Sequence, residues 1–234
     1  MRPDPIQQQT TRTAVTRDEA LRAHMGRVYN RMTMGVMITA VVAWLVSNSE
    51  TLLSLFLGGP QAYVVMFAPV VLVWFGFKPQ TMSSDKLKLS FIGISVLYGI
   101  SLSTIALAFT GEAIASAFFI STAMFAGLSI FGYTTKKDLS ALGTFCMMGM
   151  IGLFCISILA LFIGFSSQMH FLLNLGMVGV FAGITAWETQ HTKEAFSRHY
   201  SDEANSRLAW SAALGLYISF IAIFINMLQI MNQR

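Results

Sequence analysis

Glu188 and His191 stand one helical turn apart in the segment Ile184-Thr-Ala-Trp-Glu-Thr-Gln-His-Thr-Lys193. On a helix this Glu-x-x-His step sets a carboxylate and an imidazole on one face, the spacing found in carboxylate-bridged two-metal centres. Those centres draw a second such step and further carboxylates from facing helices. No other charged residue falls inside the apolar windows of this chain, so neither a metal centre nor any other cofactor is expected. Glu188 has a different distinction: it ends a run of 49 residues, Leu139 to Trp187, that contains no Asp, Glu, Lys or Arg. A carboxylate in that place either meets a cation or a proton inside an apolar assembly or marks the point where a helix re-enters water.

Other chemistries find no support. No Gly-rich phosphate loop ending in Lys-Ser/Thr, no His-Glu-x-x-His pair and no Gly-x-Ser-x-Gly elbow occurs. Gly127-Leu128-Ser129-Ile130 lacks the second glycine of an intramembrane serine nucleophile, and His170 lies at a helix end. The last apolar window holds no lysine, which excludes a retinal Schiff base. An enzyme is not expected.

The elements that must position Glu188 follow from hydropathy. Apolar side chains make up 55% of the 234 residues and charged ones 11%, with a mean hydropathy of +0.62, more apolar surface than one soluble core can hide. Charge-free windows run from Met32 to Ser49, Thr51 to Phe77, Leu89 to Gly111, Ala113 to Thr135 and Leu208 to Gln233. A membrane-spanning helix needs roughly 20 apolar residues. The 49-residue run is interrupted near Gly164-Phe-Ser-Ser-Gln168 and supplies two spans. The expected fold is an all-α integral membrane protein, a bundle of seven transmembrane helices, since the alternating pattern of a membrane barrel is absent.

Basic residues orient it. Six arginines precede the first window, and the second-to-third, fourth-to-fifth and sixth-to-seventh connections hold Lys78, Lys86, Lys88, Lys136, Lys137, Lys193, Arg198 and Arg207. With seven spans, fourteen of the fifteen basic residues fall on one side and only Arg234 on the other. Positive loops stay inside, so the amino terminus is expected in the cytoplasm and the carboxyl terminus across the membrane. The net charge of +4 is accounted for by this basic face, and no nucleic-acid partner is implied.

Residues 1–31 read as a cytoplasmic amino-terminal arm and 32–234 as the seven-helix membrane domain. The arm begins Gln/Thr-rich, and Thr16 with Glu19 has the form of a capping box, so a helix lying on the anionic leaflet is expected from about residue 17. Cys146 and Cys155 share one span, where each is expected to pack as a small buried apolar group.

Small residues recur at helical spacing: Ala113, Ala117 and Ser121 in the fourth span, and Gly179 with Gly183 in the sixth. In the seventh, Ser211, Gly215, Ser219, Ala222 and Asn226 form one continuous small or polar stripe. Such rows let helices approach closely. The stripe predicts that the seventh helix is enclosed on at least that face and that any internal polar site lies along it.

The segment Phe131-Gly-Tyr-Thr-Thr-Lys-Lys-Asp-Leu-Ser140 resembles the Bax inhibitor-1 family, in particular its bacterial YccA/YbhL-like branch. The likeness extends from about Met25 to Met231 and takes in Arg31-Met-Thr-Met-Gly35 and Leu216-Tyr-Ile-Ser-Phe-Ile-Ala-Ile-Phe224. It implies a multi-pass protein of the bacterial plasma (inner) membrane whose seventh helix is central, surrounded by the other six. It also implies a regulatory role: a pH-sensitive calcium leak attributed to a pair of hydrogen-bonded aspartates on the sixth and seventh helices. At those two positions this chain carries Glu188 and Ser219. Two close carboxylates share a proton and so can switch with pH, whereas a carboxylate beside a hydroxyl lacks that device. The partners implied are the lipid bilayer, calcium or protons and, for an alternative role in membrane-protein quality control, the membrane protease FtsH.

Overall fold

The computed structural model describes residues 5–197 and 200–232, with the backbone alone for 5–17 and 161. Eight α-helices follow one another among the described residues: α1 Pro5–Ser47, α2 Glu50–Leu57, α3 Gln61–Val71, α4 Ser84–Ala108, α5 Gly111–Thr134, α6 Ser140–Ile163, α7 Ser167–Ala195 and α8 Asp202–Asn232. Six of them contain a continuous stretch long and apolar enough to cross a membrane, and the pair α2 and α3 makes up to seven. The second expected span is therefore not one straight helix. Its two parts meet at 78°, with Gly58-Gly59-Pro60 at the corner.

The corner and the far end of α3 both follow from proline. Pro60 stands at the start of α3, where a missing N–H costs nothing. Pro69 lies inside α3 and leaves the Val65 carbonyl without its helical donor. The hydroxyl of Ser101 on α4 donates to that carbonyl at 2.9 Å. Beyond Pro69 the helix widens into a π turn, Leu72–Gly76, and the Gly76 carbonyl is taken by the Ser90 hydroxyl at 2.9 Å. Hydroxyls of α4 thus dock α3 and its π turn through the groups that proline and the π turn set free.

α8 lies at the centre. In its apolar stretch 61% of the residues are buried, against at most 28% in any other span. Its neighbours are α1, α4, α5 and α7, while α6 packs on α7, and α3 on α4. Four helices, rather than six, surround it. Burial extends beyond the stripe: Ala213, Leu216, Tyr217, Ile223 and Leu228 are fully enclosed.

Aromatic rings fill the space between α4, α5 and α8. Phe91 meets Trp210 at 5.5 Å and Tyr217 at 5.6 Å between centroids, Tyr98 meets Tyr217 at 5.7 Å, and Phe125 meets Phe220 at 5.7 Å. Each such pair adds about 1 kcal/mol beyond the area it buries. One polar knot joins three helices there. Thr39 of α1 spends its single hydroxyl proton on the Ser95 carbonyl of α4 at 2.9 Å, so the Tyr217 hydroxyl of α8 is the donor to Thr39 at 2.7 Å.

α1 runs unbroken through residue 31, where an arm and a membrane domain were expected to meet, and Thr16 lies within it instead of capping its start. Cys146 is buried, whereas Cys155 of the same helix is exposed on the outer face of α6, contrary to the buried place expected for it.

Candidate functional site

Three consecutive residues of α7 each meet a glycine on a different helix. A Cβ at Gly132 of α5 would overlap the Ala186 carbonyl, one at Gly143 of α6 would overlap the Trp187 ring, and one at Gly215 of α8 would overlap Glu188 Oε1. The turn before them is held the same way, since a Cβ at Gly183 would strike Cys146 Sγ on α6. Glycine lets these helices approach until backbone touches backbone or side chain, the close packing that membrane helices use. Of the small rows read in the sequence, Gly183 serves this contact, while Ala117 and Ser121 are fully buried on α5.

The Glu188 carboxylate is thereby placed against the α8 backbone. Its Oε2 is enclosed and has no hydrogen-bond partner, and the neighbouring Thr189 hydroxyl is likewise buried and unpartnered. This is not the solvated end of a helix. His191, expected on the same face, stacks on Trp187 at 5.5 Å and 17° and is turned toward the side where Trp187 meets α6. Glu188 and His191 therefore do not converge. Among the described residues no three His, Cys, Asp or Glu side chains come together as metal ligands.

On α8 the residue in contact with Glu188 is Gly215, one turn before Ser219. Ser219 is buried, and no described hydrogen bond joins it to Glu188. Asn226 donates to the Ala222 carbonyl of its own helix at 2.8 Å, so the far end of the stripe is satisfied locally. Ser211 and Ala222 are half-buried. The stripe includes Gly215, the residue of α8 that abuts Glu188; which of its members meets the acid depends on helix register.

The last turns of α7 also fasten the loop between α5 and α6, which holds the Tyr133-to-Ser140 motif. Gln190 donates to the Lys137 carbonyl and accepts from the Leu139 N–H, each at 2.8 Å. Lys193 donates to the Tyr133 carbonyl at 2.8 Å, and its ammonium lies 5.2 Å from the centre of that ring. Asp138 accepts from the Ser140 N–H at 2.8 Å at the start of α6, and hydrogen bonding from Ser140 holds its carboxyl below the usual carboxylate range. Gln190 was not singled out from the sequence, where it stands among Thr189, His191, Thr192 and Lys193 at the polar end of α7.

The same end of the bundle is closed by α8. Arg31 of α1 donates to the Ser206 carbonyl at 2.8 Å and its hydroxyl at 3.0 Å, and lies 4.1 Å over the Trp210 ring. Glu203 accepts from the Ser84 N–H at 2.7 Å and so caps α4. This end, rich in arginine and lysine, is called the basic end below.

Comparison with known proteins agrees with this architecture. The family model described as "Inhibitor of apoptosis-promoting Bax1" matches residues 21–234. An uncharacterized protein of Caulobacter vibrioides is 37% identical over 218 residues, covering 88% of this chain and 87% of that protein. An uncharacterized protein of Rickettsia prowazekii is 34% identical over 226 residues, covering 96% and 95%. The Escherichia coli K12 protein named "Inner membrane protein YbhL" is 32% identical over 226 residues, covering 92% and 93%. With a match spanning all the transmembrane helices, the chain is a membrane protein that belongs to the Bax inhibitor-1 family.

Proposed function

We propose that this protein is a membrane regulatory protein that provides a weak, pH-sensitive leak for calcium or another cation, with Glu188 as the group that meets the ion. The observation that carries this reading is the enclosed, unpartnered Oε2 of Glu188, at the junction of α7 with the central helix. A buried carboxylate oxygen without a donor is costly to keep, and a cation or a proton is what satisfies it. Calcium takes six to eight oxygens, often from several carboxylates. One carboxylate with neutral hydroxyls nearby makes a weak site, hence a leak in preference to a store. Because only the ionised form attracts a cation, the leak falls as pH is lowered through the titration of Glu188. The basic end faces the bacterial cytoplasm in this reading.

The test uses purified protein in calcium-loaded vesicles across pH 5 to 8. Glu188→Gln is expected to abolish the leak. Ser219→Asp is expected to raise it and to steepen its pH dependence. An aspartate at 219 leans back toward the turn that Glu188 abuts, because helical side chains point toward the helix amino terminus. A wild-type leak indifferent to Glu188→Gln defeats the assignment. Silence of the wild type under all conditions favours the alternative role, modulation of the membrane protease FtsH.

A further inference from the structure

α1 and α5 both pack on α8 but scarcely on each other, and the gap between them is a cleft of about 820 Å³ with Phe220 of α8 on its floor. A second cleft of about 450 Å³ continues from it past the shared residues Val36, Phe118 and Phe220. Polarity changes along the first cleft. Its basic end carries Arg22, Tyr29, Ser129 and Tyr133, and its inner part is aliphatic and aromatic apart from the hydroxyls of Thr33 and Thr122. Among the described residues, neither cleft is lined by an aspartate or glutamate. Ser129 is 6% exposed, and its hydroxyl is enclosed without a hydrogen-bond partner although the residue lines the cleft. From Arg22 to Val36 the α1 helix rises about 21 Å. One leaflet of a hydrocarbon core roughly 30 Å thick is shorter than that.

We propose that this cleft binds one anionic phospholipid from the leaflet at the basic end. The Arg22 guanidinium meets the phosphate, the Ser129 hydroxyl, once rotated about χ1 into the cleft, donates to an ester oxygen, and an acyl chain lies along Val36, Phe118 and Phe220. The polar-to-apolar gradient, the unspent hydroxyl and the absence of acidic lining residues all match an amphipathic anion. The site is separate from Glu188, and the leak neither requires it nor is required by it.

Gly26 gives a clean way to block the mouth. It lines the cleft, and a Cβ added there meets no atom within 4 Å, so a side chain can begin there without displacing protein, and a phenylalanine is bulky enough to occupy the cleft. Gly127 on α5 is equally open but does not line the cleft, which makes Gly127→Phe the matched control. Full-length protein in mild detergent, supplied with phosphatidylglycerol or phosphatidylcholine of identical chains, is examined by native mass spectrometry. The wild type is expected to retain one phosphatidylglycerol in preference to phosphatidylcholine by about fivefold, the ratio one basic residue gives at an anionic surface. Arg22→Ala should bring the two to parity, Gly26→Phe should lose both, and Gly127→Phe should match the wild type. Equal retention of the two lipids by the wild type, equal losses from Gly26→Phe and Gly127→Phe, or a lipid-free dimer would overturn the proposal. Should Gly26→Phe fail to fold, the Arg22→Ala comparison decides alone.

Discussion

Glu188 and Gly215 form a contact whose strength can be measured by substitution. Glycine inside a helix is ordinarily less favourable than alanine by up to about 1 kcal/mol. At 215 the sign reverses, because a methyl group would overlap the Glu188 carboxylate. Gly215→Ala is expected to destabilise the detergent-solubilised protein by about 1–3 kcal/mol, read from thermal unfolding. In a Glu188→Ala background the same change should be neutral or stabilising. If the two substitutions simply add, the contact does not exist as described. The sequence revealed part of this. Its three-and-four spacing gave the face of α8 on which Gly215 lies, and the end of the charge-free run singled out Glu188. It did not give the pairing between them, since helical periodicity fixes direction around an axis but not register along a neighbour. Glu188 and His191 share a face by spacing, yet they part for another reason. Trp187 offers His191 an aromatic surface one turn away, and stacking there competes with facing the acid.

Among the elements, α7 fastens the end of α5 and the loop after it by hydrogen bonds from its side chains to their main chain, and Gln190 is the fastener with most to lose. Gln190→Leu strands the Lys137 carbonyl and the Leu139 N–H together, at a cost of about 2 kcal/mol. Gln190→Glu should be no rescue, because a carboxylate cannot donate to the Lys137 carbonyl. A melting temperature unchanged by Gln190→Leu would show that water or another group replaces the amide. Asp138, between the two residues that Gln190 holds, adds a pH effect. Its folded carboxyl titrates lower than an ordinary one, so its capping of α6 is present above that ordinary range and is lost as pH falls through its own lower value. Hydrogen exchange at the first turn of α6 should rise at acid pH, and Asp138→Asn should remove that rise. Of the elements themselves, the long spans were legible because charge-free length determines them. The window from Thr51 to Phe77 reads as one span because it too is charge-free, although it turns through 78° at Gly58-Gly59-Pro60, and the Ser90 and Ser101 hydroxyls that dock the π turn and α3 on α4 are partners invisible to a local pattern.

For the molecule as a whole, the fourteen-to-one division of basic residues makes a prediction that no single helix could. A reporter active only outside the cytoplasm should function after Arg234 and fail before Met1. Failure of the reporter at both ends would mean that the bent pair α2 and α3 enters and leaves by the same face, giving six crossings instead of seven. The spatial arrangement also divides the bundle in two. α1, α3 and α4 pack together on one side, α5 and α6 gather around α7 on the other, and α8 touches both groups. The seating of Ala186, Trp187 and Glu188 at three glycines then constrains how these halves can move. An advance of α7 by one residue, about 1.5 Å with a turn of roughly 100°, would drive other side chains into all three sockets at once. α7 is held like a key in a lock with three wards, unable to slide or to spin. What motion remains is a hinging of the two leaves about α8 as their pin.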